Sequence, residues 1–207
     1  MGITWGKLFE KRQVKFVFQG LSCAGKTTIL YHLKDGQLVT TIPTIGFNSE
    51  TVEFKNFNIL AWDLGGRDKM RPLQRHFYSG TEAIIFVIDS SIHDDECIDE
   101  ARDFIHQLMG EDELKNCVLL VLANKQDLPD AWSEVKLSEA LELEKLRTER
   151  VWNIFPTVGT TGEGIDEAMV WLTKQFQRRS STETGTSNSF YTRIVNKLCG
   201  IFLDQVY

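Results

Sequence analysis

Apolar and polar positions along the 207 residues fall into blocks of two kinds. Ile84 to Asp89 (IIFVID) and Val118 to Ala123 (VLLVLA) are continuous apolar runs, the pattern of central parallel strands covered on both faces. Val14 to Gln19 (VKFVFQ) is a third short, mostly apolar strand. Thr51 to Phe54 and Phe57 to Trp62 alternate around Lys55-Asn56, which predicts two antiparallel strands, and Val151 to Thr157 reads as the last strand. Helical spacing takes over in Lys26 to Leu33 and in Cys97 to Met109. It returns in Gly164 to Arg178, where Ile165, Ala168, Met169, Leu172 and Phe176 form a core stripe. Strands and helices that interleave in this way make one α/β domain with tails.

The tails carry a different pattern. Residues 1–13 (MGITWGKLFEKRQ) set Ile3, Trp5, Leu8 and Phe9 beside Lys7, Lys11 and Arg12. A short amphipathic helix of this kind suits a membrane surface, and equally packing on its own domain. Gly2 follows the initiator Met, as N-myristoylation requires, although Gly6 stands where the motif has Ser or Thr. The globular domain spans 14–179, and residues 180–189 (SSTETGTSNS) read as a flexible linker. In 190–207, Phe190, Ile194, Leu198 and Phe202 share one helical face. Two readings of that face stand: a second membrane-surface helix with Cys199 as a palmitoylation candidate, or docking onto the domain or a partner. The ending Asp204-Gln205-Val206-Tyr207 excludes prenylation at a C-a-a-X box.

Composition narrows the class. With 42% hydrophobic and 25% charged residues the chain reads as a globular protein with one sizeable core. A net charge of −6 gives no reason to expect nucleic acid as partner. The 4 cysteines are scattered without a C-x-x-C pair, which points to reduced thiols rather than a disulfide or zinc framework. No apolar run is long enough to span a bilayer and no signal-peptide pattern is present, so a cytoplasmic location is expected.

Between the first strand and the first helix stands Gly20-Leu21-Ser22-Cys23-Ala24-Gly25-Lys26-Thr27-Thr28, a G-x-x-x-x-G-K-[ST] phosphate loop. Its glycines let backbone N–H groups curl around phosphate oxygens, and the helix behind it presents its positive end. Lys26 is expected to reach the β- and γ-phosphates, and Thr27 to offer its hydroxyl to Mg²⁺. In Val39 to Phe47, Pro43 keeps the segment out of helix and Thr44 is the second hydroxyl ligand and phosphate neighbour expected. The strand Phe57 to Trp62 runs into Asp63-Leu64-Gly65-Gly66, a D-x-x-G. Asp63 is placed to hold Mg²⁺ through water, and Gly66 to bring its N–H to a γ-phosphate.

The fifth strand leads into Asn124-Lys125-Gln126-Asp127, an N-K-x-D. A carboxylate at Asp127 accepts from guanine N1–H and N2–H₂, whereas adenine would turn a lone pair against it. Asn124 and the Lys125 stem complete that pocket. The loop Thr157-Val158-Gly159-Thr160 is where a backbone N–H meets guanine O6. This order of motifs opposes an ATP-using kinase or ATPase.

With these motifs in place, the chain closely resembles the Arf family of small GTPases (ADP-ribosylation factors and Arf-like proteins) from Gly2 to about Gln177. The most specific stretches are AGKTTILYHLK (24–34), VTTIPTIGFN (39–48), WDLGGRDKMRPL (62–73) and NKQDLPDA (124–131). The resemblance implies a P-loop NTPase fold, with a six-stranded, mostly parallel sheet flanked by helices, binding GTP or GDP with Mg²⁺. It implies a monomeric switch attached to membranes by a myristoylated N-terminal helix, served by an exchange factor, a GTPase-activating protein and effectors. Phe47, Trp62 and Phe77 match the aromatics with which the family meets effectors; packing beneath the switch segments is their other role.

Departures from the family pattern sharpen the expectation. Arg67 replaces the Gln of W-D-x-G-G-Q, so the catalytic candidates are Gly66 and a side chain with donors but no acceptor. Slow turnover and a long-lived GTP state are expected, with an intrinsic arginine finger as the opposite reading. Ser22 replaces the family's Asp in the phosphate loop, which eases repulsion near the phosphates. Gln74 replaces a Trp, and Val158-Gly159-Thr160 a Cys-Ala-Thr. Two functions remain: an Arf-like GTPase switch in membrane traffic at the Golgi or another endomembrane, or a hydrolysis-deficient, GTP-bound scaffold.

Overall fold

The computed structural model of the chain describes residues 12–35, 47–64, 74–146 and 150–180. Six strands form one sheet in the order β2-β3-β1-β4-β5-β6: β1 (Arg12–Gln19), β2 (Phe47–Phe54), β3 (Phe57–Leu64), β4 (Ala83–Asp89), β5 (Val118–Asn124) and β6 (Trp152–Pro156). All neighbours are parallel except β2 and β3, which pair antiparallel with Phe54 opposite Phe57 across Lys55-Asn56. Lys55 takes up φ 51° to make that two-residue turn.

Every residue of β4 and β5 is buried, as their unbroken apolar runs require. Central β1 lies between β3 and β4, with Val17 opposite Trp62 on one side and Ile84 on the other. The chain reverses its direction of sheet growth at β1. The carboxyl ends of β1, β3, β4, β5 and β6 therefore lie at one edge, where ligands of open α/β sheets bind.

Helix α1 (Lys26–Asp35) follows β1 directly. Helix α2 (Asp95–Met109) starts two residues before the expected Cys97, because the Asp94 carboxylate accepts from the Cys97 N–H at 3.0 Å and caps the first turn. Its Ile98, Ala101, Phe104, Ile105, Leu108 and Met109 are buried. Helix α3 (Glu134–Ala140), capped by Ser133, has no forecast in the apolar pattern, since Leu137 alone of its seven residues is buried. Helix α4 (Ile165–Ser180) buries Ile165, Ala168, Met169 and Leu172, four of the stripe residues. Residues 1–173 make one compact unit and 174–207 a second, of which 174–180 are described as the last turns of α4. Among the described residues no helix is long and apolar enough to cross a membrane.

Candidate functional site

The phosphate loop turns sharply at both glycines, Gly20 at φ 132° and Gly25 at φ 101°. Both must be glycine for reasons that lie outside the loop. A Cβ on Gly20 would meet the Val87 carbonyl oxygen at 2.1 Å, and one on Gly25 the Asn124 Nδ2 at 2.2 Å. Between them Leu21 is half-buried, Ser22 and Cys23 are exposed and Ala24 is buried. Lys26 is buried, and its ammonium donates to the Gly20 and Leu21 carbonyls at 3.0 and 2.8 Å. Burial pulls its pKa below the usual lysine range, against the opposing pull of Asp63 and Cys23.

At the start of α1 the Thr27 hydroxyl donates to Asp63 Oδ2, and Thr28 follows half-buried. The contact joins the phosphate loop to the end of β3. It also puts a hydroxyl and a carboxylate together, a hard oxygen pair of the kind Mg²⁺ takes. Outside the described residues lie Gly2, Thr44, Gly66, Arg67, the side chain of Phe47, and the expected amphipathic segments and linker in 1–11 and 181–207 with Cys199.

The guanine motif is built as a strut. Asn124 Nδ2 donates to the Ala24 carbonyl at 2.8 Å, while Oδ1 accepts from the Gly159 N–H at 2.8 Å and from the Thr157 hydroxyl at 3.4 Å. One buried amide thus ties the phosphate loop to the loop after β6. Lys125 turns the chain at φ 68°, Asp127 is exposed beyond it, and Thr160 is exposed after Gly159.

Two further residues hold this turn, neither of them a fixed position of a motif. Asp89, at the end of β4, accepts from Lys125 Nζ at 2.5 Å and from the Ser91 N–H and hydroxyl at 3.0 and 2.6 Å. Burial pushes its carboxyl up, but the bonds from Lys125 and Ser91 together outweigh this and hold it below the usual Asp value. Gln126 Nε2 donates to Ser90 Oγ at 2.9 Å and to the Trp132 carbonyl at 3.0 Å. An acidic residue that closes an otherwise apolar strand is the one sequence signal that marks Asp89.

Trp62 and Phe77 are 1% and 2% exposed and meet in a tilted contact, with ring centroids 5.0 Å apart and planes 50° apart. In this conformation they support the surface rather than form it. Beneath them the fully buried Lys15 donates to the Phe77 and Ser79 carbonyls at 2.5 and 2.9 Å, and stands 5.9 Å from the Trp62 ring centre. Desolvation lowers its pKa to about 8. A lysine in an apolar strand gave no forecast of this tether, because its acceptors come from a backbone 62 residues away.

Comparison with known proteins adds the relatives. A family model described as the ADP-ribosylation factor family matches residues 2–176. Among solved structures, the Arl6 BBS3 small GTPase from Trypanosoma brucei, with bound nucleotide analogue GppNp, superposes with a TM-score of 0.74 at 31% sequence identity. The match covers 80% of this chain and 98% of that one.

Proposed function

This chain belongs to the Arf (ADP-ribosylation factor) family of small GTPases, and we propose that it is a slowly hydrolysing GTP/GDP switch that recruits effectors to membranes in vesicle traffic. As a family member it is a GTP-binding switch, and the family generally hydrolyses GTP. The observation that carries the proposal is the Asn124 amide, whose Nδ2 bond to the Ala24 carbonyl ties the N-K-x-D turn to the phosphate loop and so couples phosphate and base recognition.

In this reading the backbone of Gly20 to Gly25 wraps the phosphates. Lys26 exchanges its bonds to the Gly20 and Leu21 carbonyls for phosphate oxygens. Thr27, Thr44 and, through water, Asp63 would hold Mg²⁺, which supplies charge neutralisation between the β- and γ-phosphates. Asp127 takes the guanine edge. The Gly159 N–H reaches guanine O6 only by leaving Asn124 Oδ1 for the base. Gly66 offers its N–H to the γ-phosphate, and Arg67 stands where the family's Gln orients the attacking water. With donors alone, a guanidinium takes no proton from that water, which slows hydrolysis.

The N-terminal segment, with Gly2 myristoylated, attaches the switch to an endomembrane such as the Golgi, on the cytoplasmic side. An exchange factor, a GTPase-activating protein and effectors act on it, the last through Phe47 and the surface shaped by Trp62 and Phe77. The deciding experiment is chromatography of the nucleotide released by heat, followed over time after GTP loading. Slow appearance of GDP over hours supports the switch. GTP that persists unchanged selects the hydrolysis-deficient scaffold, and failure to retain any guanine nucleotide overturns both.

A further inference from the structure

Helix α3, the 3-10 turn behind it (Leu143–Lys145) and β6 enclose a surface groove of about 600 Å³. None of these elements carries the phosphate loop or the D-x-x-G. The apolar side chains in the groove are Val135, Trp152 and Ile154. Val135 is 62% exposed and Val151, directly before β6, is 39% exposed. These are two of the three large apolar side chains most open to solvent among the described residues. The lining also includes Glu134, Glu139, Glu142 and Glu144. Only Glu142 has a cation, Lys145 at 2.7 Å, among the described residues.

We propose that this acid-rimmed apolar groove docks a cationic amphipathic segment of a partner protein, a helix or loop that carries Lys or Arg beside aliphatic residues. Charge complementarity selects the occupant. A membrane of anionic lipid would be repelled by the glutamates. A second copy joined by a two-fold contact would set each acidic rim against its own image, a like-charge arrangement that costs binding energy. Strand addition to the outer edge of β6 is blunted as well, because the Ile154 N–H already donates to Asn153 Oδ1 at 3.0 Å. Docking therefore works through side chains: aliphatic groups over Val135, Trp152 and Ile154, cations against Glu134, Glu139 and Glu144.

The test uses the full chain loaded with GDP and two fluorescein-labelled synthetic helical peptides, one of Lys and Leu and the other with Glu in place of every Lys. Fluorescence anisotropy should show binding of the Lys peptide alone. Its affinity should fall at least about tenfold from 50 to 300 mM NaCl as rim charges are screened. Val135→Ser and the double variant Glu139→Lys/Glu144→Lys should each weaken it by about tenfold or more, since they remove a central contact or reverse the rim. Amide exchange of the unmodified protein should show peptide-induced protection centred on residues 134–154. Equal binding of both peptides, unchanged affinity in the variants, or protection elsewhere would overturn the proposal. So would a dimer in sedimentation, or binding to anionic vesicles, that Val135→Ser abolishes. Because the nucleotide site plays no part in this readout, failure here leaves the switch reading standing.

Discussion

Gly25 and Asp89 show how single residues set the site. Gly25 combines φ 101° with a Cβ position 2.2 Å from Asn124 Nδ2, so any side chain there displaces the strut. Gly25→Ala is expected to lose about 1–3 kcal/mol of stability through backbone strain and to weaken GDP binding at least about tenfold. Thermal unfolding and fluorescent-GDP titration check it, and wild-type values in both would refute the role. Asp89 has a folded pKa below its ordinary 3.8, so its ion pair stabilises the fold above that value and loses its contribution as pH falls further. The stability gap between wild type and Asp89→Asn should hold steady from pH 7 to about 4 and narrow below it. A gap independent of pH in acid titrations would dismiss the pair. At Arg67, restoring an acceptor is the direct test. Arg67→Gln should hydrolyse bound GTP faster in a single turnover, and an unchanged rate would sink the proposal that Arg67 slows turnover.

At the scale of elements, the boundary of α2 is set by one capping bond. Asp94→Ala leaves the Cys97 N–H without its acceptor and should lower stability by about 1 kcal/mol. For a domain of this size that is about 2–4 °C in the melting midpoint by calorimetry, and no change would mean that packing of Ile98 and Ala101 already fixes the first turn. Elements with an uninterrupted period were legible from the chain alone. The fully buried β4 and β5 begin and end within a residue of their apolar runs. Helix α3 was not legible, because it is short and turns one apolar residue inward, so neither period rises above its polar neighbours. Lys15 was equally hidden. It sits at a core position of β1 because two carbonyls and an aromatic face receive its ammonium there.

For the molecule as a whole, the two tails are expected to add membrane attachment to the switch. Flotation of myristoylated protein on liposomes, with and without residues 180–207, should show weaker retention of the truncated chain. One acyl chain gives only marginal binding of about 10⁴ M⁻¹ and needs a second attachment. Equal flotation would remove the C-terminal segment from membrane attachment and turn attention to residues 3–12.

The sequence by itself determined the motifs, their order and most of the elements that carry them. A phosphate loop needs only eight consecutive residues, Gly20 to Thr27, and a buried strand only its own apolar run. The tertiary structure alone decided how those pieces act together. Asn124 reaches Ala24 across 100 residues, and Lys125 reaches Asp89 across 36. Such bonds follow from the order β2-β3-β1-β4-β5-β6, which brings strand ends distant in the chain to one edge. Local spacing carries no record of that order, because a hydrogen bond is chosen by proximity after folding and not by separation along the chain.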